Sequence, residues 1–299
     1  MSLTVTIVTP VFNGGPFIES AIRSVLAQTY PYIEYIIMDG ASTDDTVAIA
    51  ERFDKHLAVI SEPDKGQSDA INKGWLRASG DVLAWLCADD LYEPNTVEIA
   101  VKALTANPDA RWVYGSGKSL DAEGRPRPFR HPVEPWNYER LIGTHNYIIQ
   151  PSVFIRNSTV QQYGELRSDL HYTMDYEYWL RIGRVNPGLF CPDVRVMAKR
   201  YASAKTHSGG IRRLDELMQL MTDYGRTDLP SGYRHEWVTA YTRAGLSALL
   251  RGQWKSASEL LSQLGRYPSA IPRGVLKAAL EQLPPSVDRH LRQWFLRSP

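Results

Sequence analysis

Apolar residues in the amino-terminal third of the chain keep two rhythms in turn. The runs Leu3 to Thr9 and Ile33 to Met38 are continuous and β-branched, and they close on Pro10 and Asp39. An unbroken apolar run of strand length is what a strand buried on both faces of a parallel sheet requires. Between them, Phe17, Ile18, Ala21, Ile22, Val25 and Leu26 mark one face of a helix over Pro16 to Thr29. A helix joining two parallel strands makes a right-handed βαβ crossover. The alternation continues with a helix over Thr43 to Phe53, a strand over Leu57 to Ile60, a helix over Gln67 to Ala78 and a strand over Val82 to Leu86. The pattern predicts an α/β fold.

In an open parallel sheet the segments just past the carboxyl ends of the strands converge on one crevice. Here they are Pro10 to Asn13, Asp39, Ser61 to Gln67 (with Lys65, Gly66 and Gln67), and Asp89-Asp90. Asp89 and Asp90 arrive together where a buried strand leaves the core. Mg²⁺ or Mn²⁺ commonly bridges one or two protein carboxylates to substrate phosphates, so the pair suits a diphosphate substrate such as a nucleotide-sugar. The same pair, followed by Glu93-Pro94-Asn95, also suits a turn that opens a helix. Asp39 can accept the imide N–H of a uracil or thymine ring, with Phe12 flanking the base. Ser42 to Asp45 read instead as capping groups for the free amides of a helix start.

The stretches TIVTPVFNGG, IIMDGASTDDT, EPDKGQSDAINKG and SGDVLAWLCADD, within Val5 to Asp90, resemble the family 2 glycosyltransferases of the GT-A fold. NYIIQPSVF (Asn146 to Phe154) and LHYTMDYEYWLRIG (Leu170 to Gly183) extend the likeness over about two thirds of the chain. The resemblance implies a Rossmann-like, mostly parallel sheet with helices on both faces. It also implies metal-assisted, inverting sugar transfer from a nucleotide-diphosphate donor (UDP-, dTDP- or GDP-linked) to a saccharide or lipid-linked acceptor, in cell-surface polysaccharide or glycolipid synthesis. By motif, Asp39 binds the base, Asp89 lies near the ribose, Asp90 holds Mn²⁺ or Mg²⁺, and Asp175 is the catalytic base. A carboxylate within hydrogen-bond reach of the acceptor hydroxyl can take its proton as it attacks, so one base suffices for a single inverting displacement.

Two positions depart from the family pattern. Ile71 stands where many members carry an arginine, which leaves Lys65 or Lys205, the latter in a loop that often closes over the diphosphate, as phosphate contacts. Ala88-Asp89-Asp90 lacks the first acid of a full Asp-X-Asp. His207 is a candidate further metal ligand or phosphate donor, and equally a solvated loop histidine. Around Asp175, the residues Tyr172, Tyr176, Tyr178 and Trp179 fit either a sugar platform or a core on a helix running through Leu180 and Ile182. Asp175 itself also fits a helix N-cap.

Composition narrows the classes. With 299 residues and 43% hydrophobic content the chain can bury one main domain and an appendage. Its 34 basic and 33 acidic residues leave a net charge of +1, which gives no field favouring nucleic acid. Cys87 and Cys191 stand in apolar surroundings without metal-ligand spacing and read as free core thiols in a reducing compartment. Met1-Ser2-Leu3-Thr4 enters a strand with no leader pattern, and no stretch reaches the ~20 apolar residues that span a bilayer, so a cytoplasmic protein is expected.

The expected division is a GT-A domain over 1–206, with a nucleotide-binding half (1–115) and an acceptor half carrying the base (116–206), and a helical subdomain over 207–299. Ile211 to Tyr224, His235 to Arg251, Trp254 to Leu264 and Pro272 to Leu283 show helical spacing. Ala244 to Leu261 resembles one tetratricopeptide hairpin, a motif that needs about three copies to be stable alone. Arg289, Arg292 and Arg297 beside Leu291, Trp294, Phe295 and Leu296 fit peripheral contact with the inner, anionic membrane face, and equally a solvated helix packed on the body. Asp121 to Arg140, rich in Pro and Arg, reads as a long acceptor-shaping loop. Two other classes stay open: a sugar-phosphate nucleotidyltransferase, disfavoured because no glycine-rich phosphate loop follows the first strand, and a nucleotide-sugar-binding scaffold without turnover.

Overall fold

Every residue of β1 (Val5–Val11) is buried, and this strand sits between two parallel partners. β2 (Ile33–Asp39) flanks it on one side and β4 (Val82–Trp85) on the other, with β3 (Ala58–Ser61) beyond β2. The computed structural model describes residues 2–121, 124–129, 132–199, 205, 209–271, 275 and 278. Past β4 the sheet continues through β8 (Phe154–Arg156), β6 (Trp112–Leu120), β9 (Leu189–Lys199) and β5 (Leu91–Tyr92), and β7 (Pro126–Arg127) pairs with β6. The longest pairings, β1 with β2 and β6 with β9, are parallel.

The helices are where apolar spacing puts them. α1 (Gly15–Leu26) buries Ile18, Ala21, Ile22 and Val25, one face at helical period. α2 (Thr46–Ala50) is shorter than its sequence pattern, because Glu51–Phe53 tightens into a 3₁₀ turn. α3 (Gln67–Arg77) lies on β1 so closely that a Cβ on Gly74 would come within 2.5 Å of Val8 Cγ1. Ile71, on the same helix, is fully buried, so this position points into the core and offers nothing to a phosphate. α4 (Thr96–Ala106), α6 (Asn157–Tyr163) and α7 (Met174–Gly183) complete the first unit, while α5 (Tyr138–Gly143) follows the β6–β7 hairpin.

Pro10 shows why the crevice opens where it does. Even-numbered residues of β1 turn their backbone groups toward β4, as the bond from Leu86 N–H to the Val8 carbonyl shows at 3.0 Å. β4 ends at Trp85, so beyond Val8 that side of β1 has no strand to bond, and a residue without an N–H is tolerated there. The two strands part at their carboxyl ends, with Phe12 and Cys87 past the split.

The chain separates into two compact units, 1–141 with 146–207, and 142–145 with 208–299. The second is helical, with α8 (Gly210–Asp223), α9 (Arg234–Leu250) and α10 (Trp254–Ser262). α9 and α10 form a hairpin whose turn places Gly252 at φ 70°, and Gly245 lets Leu261 approach to 2.6 Å of where a Cβ would stand. Of the expected helix over Pro272 to Leu283 only scattered positions are described, and the Arg289 to Arg297 segment lies outside the described residues.

The loop expected over Asp121 to Arg140 is partly regular. Asp121 closes a hairpin with Arg125, and Tyr138 begins a helix. Three strands, β6, β8 and β9, carry no clear sequence signal: β6 is broken by Gly115 and Gly117, which lie against the β9 backbone, and β8 is only three residues long.

Candidate active site

The acids at the strand ends come from different loops, and hydrogen bonds tie those loops together. Asn13, at φ 50°, accepts from the Thr43 amide through its side chain at 2.8 Å and donates its own amide to Ser42 Oγ at 2.7 Å. Gly14 N–H reaches Thr46 Oγ1 at 2.9 Å and Gly15 N–H reaches Asp44 Oδ2 at 3.0 Å. Ser42 to Thr46 therefore satisfy free amides, as their residue types suggest, but chiefly those leading into α1 rather than those of α2.

Asp39 ends β2 and is 1% exposed. One carboxylate oxygen, Oδ2, accepts from the Ser42 amide at 3.0 Å and from Ser61 Oγ at 2.7 Å. The other, Oδ1, is buried with no hydrogen-bond partner. A buried carboxylate oxygen left unmatched is costly, and this atom has unused capacity to accept a hydrogen bond. Phe12, 64% exposed, lies just past β1, the strand paired with β2 through Asp39. Lys65 and Gly66 occupy the turn that opens α3, where Gly66 takes φ 116° and donates to Asp64 Oδ1 at 2.7 Å.

Past β4, the Cys87 carbonyl accepts from the Asp90 amide at 3.0 Å, which folds the turn back on itself. The turn brings Cys87 Sγ and carboxylate oxygens of Asp89 and Asp90 within 4.8 Å of one another. Asp90 is buried, and its carboxyl is pushed well above the usual carboxylate range by burial and then by Asp89, against which the Lys199 amide at 3.3 Å works only weakly. This donor set fits a divalent cation: oxygen ligands from two carboxylates, one of them buried beside a like charge that a cation would neutralise. Cys87 is free, as expected, but it is only partly buried and stands beside Asp89 and Asp90 rather than in apolar surroundings.

Asp175 lies in the first turn of α7, with Thr173 at the cap position, and its Oδ1 accepts from the Tyr176 amide at 2.7 Å. Two contacts hold this helix start against the crevice. Trp179, one turn on, stacks on Trp85 at the end of β4 with centroids 5.4 Å apart and planes at 17°, and also on Trp112 at 5.6 Å. Ser68, at the start of α3, meets Met174 Sδ at 2.8 Å. Each aromatic pair adds about 0.5–1.5 kcal/mol beyond its buried area, so the indole column fixes α7 relative to β4. Tyr176, Tyr178 and Trp179 are thus core, not a sugar platform.

Burial, first, and then the charges of Asp90, Asp89 and, last, Asp175 push the Cys87 thiol up, while Lys205 opposes them. Lys205 Nζ donates to Gln67 Oε1 at 3.0 Å, and Gln67 Nε2 donates to Cys87 Sγ at 3.0 Å. Gln150 joins the group, donating to the Trp85 carbonyl at 2.9 Å. Sequence reasoning missed Gln150 as a site residue, although it lies inside the quoted NYIIQPSVF segment. His207 lies outside the described residues.

The sequence pattern described as "Glycosyl transferase family 2" matches residues 6–161, from β1 through the Cys87–Asp90 turn into α6. The chain belongs to glycosyl transferase family 2. An uncharacterized glycosyltransferase of Rickettsia typhi is 29% identical over 227 residues, covering 74% of this chain and 71% of its own. One of Mycobacterium tuberculosis is 32% identical over 185 residues, covering 61% and 70%. Among solved structures, the Pyrobaculum calidifontis mannosyltransferase in complex with GDP-Man and Mn²⁺ superposes with a TM-score of 0.61 at 20% identity, over 99% of this chain and 84% of that one. S. aureus TarS in complex with UDP-GlcNAc gives 0.60 at 15% identity, over 92% and 84%. The fold of this family 2 enzyme is that of the GT-A glycosyltransferases, and the protein is a transferase.

The second unit of the transferase holds a groove of about 600 Å³. Trp237 and Tyr241 are buried in its floor, Asp215 accepts from the Tyr241 hydroxyl at 2.6 Å, and the Arg266 guanidinium stands 5.8 Å from the Trp237 ring. Among the described residues no helix is long and apolar enough to cross a membrane.

Proposed function

We propose that this family 2 enzyme moves a sugar from a nucleotide-diphosphate donor to an acceptor hydroxyl in one inverting, metal-assisted displacement. The observation that supports the reading is geometric: Asp89 and Asp90 gather in the turn past β4, and the Trp179–Trp85 stack ties α7, whose first turn carries Asp175, to the end of that strand. Asp39 Oδ1, buried and unmatched, accepts the imide N–H of a uracil, thymine or guanine ring, with Phe12 beside the base and Asp89 toward the ribose. Asp90, with Asp89, would hold Mn²⁺ or Mg²⁺, a cation that would supply positive charge against the departing diphosphate. Lys205, which reaches Gln67, and Lys65 are assigned to that diphosphate, with Gly66 and Gln67 in the turn beside it.

Asp175 takes the proton of the acceptor hydroxyl as its oxygen bonds to the anomeric carbon, and the bond from that carbon to the diphosphate breaks on the opposite face. No covalent sugar–enzyme stage is needed, so one carboxylate base is enough. Complexes of like folds with GDP-Man and with UDP-GlcNAc support a nucleotide-sugar donor. We assign donor binding to 1–115, the base and acceptor side to 116–206, and a helical appendage to 207–299, in a cytoplasmic enzyme that glycosylates a saccharide or lipid-linked acceptor of the cell surface. A donor-hydrolysis assay with UDP-, dTDP- and GDP-sugars tests this: turnover must need Mn²⁺ or Mg²⁺ and fall by at least about 100-fold in Asp175→Asn. Turnover unchanged in that variant, or pyrophosphate released from a nucleoside triphosphate, contradicts it.

A further inference from the structure

Cys87 occupies an unusual place for a thiol. It is neither sealed in the apolar core nor paired in a disulfide. Its Sγ accepts from Gln67 Nε2 at 3.0 Å and faces Gln150 Oε1 at 3.5 Å, so two side-chain amides hold it in the wall of the crevice. The carboxylates of Asp89 and Asp90 are near it too, and one oxygen of each lies with Sγ inside a 4.8 Å envelope. Zinc–sulfur bonds are about 2.3 Å and zinc–oxygen bonds about 2.0–2.2 Å, so neighbouring donors of a tetrahedral ion stand about 3.6 Å apart. The three atoms can therefore close on a common cation with side-chain shifts of up to about 1 Å.

We propose that Cys87 Sγ is a third protein ligand of the cation site, and that it tunes the site toward thiophilic cations such as Zn²⁺, Co²⁺ and Cd²⁺ over Mg²⁺. The inference rests on the reading that Asp90 holds a cation. Mg²⁺ demands hard oxygen donors in near-octahedral geometry and keeps its waters, whereas thiolate favours softer ions. On binding, the S–H bond breaks, the sulfur–metal bond forms and the proton leaves to solvent. A site with two carboxylates and one thiol thus differs in cation choice from one built of carboxylates alone.

The test uses the full chain and the metals by themselves. Cd²⁺ is titrated into wild type, Cys87→Ser, Cys87→Asp and Cys191→Ser while the thiolate-to-Cd²⁺ charge-transfer absorption is recorded, and Mg²⁺ and Mn²⁺ affinities are measured by competition. We expect one equivalent of Cd²⁺ to raise the band in wild type and in Cys191→Ser but not in Cys87→Ser. The ratio of Cd²⁺ to Mg²⁺ affinity should fall at least tenfold in Cys87→Ser and fall further in Cys87→Asp. A band absent from wild type, or an affinity ratio unchanged in both Cys87 variants while Mn²⁺ still binds through Asp90, overturns the role of the thiol alone. Mn²⁺ binding that is equal in wild type and Asp90→Asn overturns the cation site beneath it.

Discussion

Two aspartates in the first unit each stand just past a strand and meet opposite surroundings. Asp121 follows β6, is bonded by the Arg125 amide at 2.8 Å and by the guanidinium groups of Arg125 and Arg127 at 3.0 and 3.2 Å. Desolvation pushes its carboxyl up, but those donors outweigh it and hold it at about 2. Asp90 follows β4, is buried beside Asp89, receives only a long bond from the Lys199 amide, and is pushed well upward. Among the described residues no arginine or lysine forms an ion pair with Asp90. A strand-end acid that brings its own cations is part of the fold. One that is buried next to a second acid and itself forms no ion pair is a candidate for binding something positive, which sets it apart from a turn of similar sequence.

Substitutions sharpen this contrast, because crevice changes should alter function more than stability and the hairpin change should do neither strongly. The largest effect is expected from Asp175→Asn, which should lower kcat by about 10²–10⁴ while leaving the donor Kd unchanged. Steady-state kinetics beside equilibrium binding checks it, and a loss of affinity equal to the loss of rate would recast Asp175 as a binding group. Asp90→Asn should weaken Mn²⁺-dependent donor binding by at least about 100-fold, since losing a ligand exceeds the 10–100-fold of an outer partner. The same variant should melt higher, by about 2–4 °C for each kcal/mol of repulsion relieved. A lower melting temperature would mean that Asp90 is already compensated in the free protein.

Asp39→Asn should weaken nucleoside diphosphate binding by about 10- to 100-fold, the 1.5–3 kcal/mol of a hydrogen bond to a charged group. The smallest effect belongs to Arg125→Ala. Because the folded pKa of Asp121 lies below its unfolded value, its contribution to stability is present above about pH 4 and fades as pH falls toward 2. The substitution should move the Asp121 titration, followed by NMR, back toward the ordinary carboxylate range and leave donor binding unaltered.

Much of the fold was legible because the first half of the chain obeys simple periods. Buried parallel strands read as unbroken apolar runs, and α1 and α3 read from their buried stripes. The positions of the candidate residues Asp39, Asp89 and Asp90, at or past the ends of β2 and β4, were legible in the sequence. β6 and β9 were not, since Gly115 and Gly117 yield to a close backbone approach that only the fold creates. Ile71 reads as a missing arginine in sequence and as a core residue in space. Gln150 and Cys87 were invisible for a different reason: their importance lies in contacts across 63 positions of chain, not in spacing.

The central claim is that Asp39 and Asp90 grip the two ends of one nucleoside diphosphate, the base and the metal-bound phosphates. Calorimetric titration of UDP, dTDP and GDP into wild type, Asp90→Asn and Asp39→Asn, each with and without Mn²⁺, tests it most directly. At least one nucleotide should bind wild type much more tightly with Mn²⁺, and that enhancement should vanish in Asp90→Asn but persist, on a weaker baseline, in Asp39→Asn. Binding that ignores Mn²⁺ in wild type, or an enhancement that survives in Asp90→Asn, would contradict it.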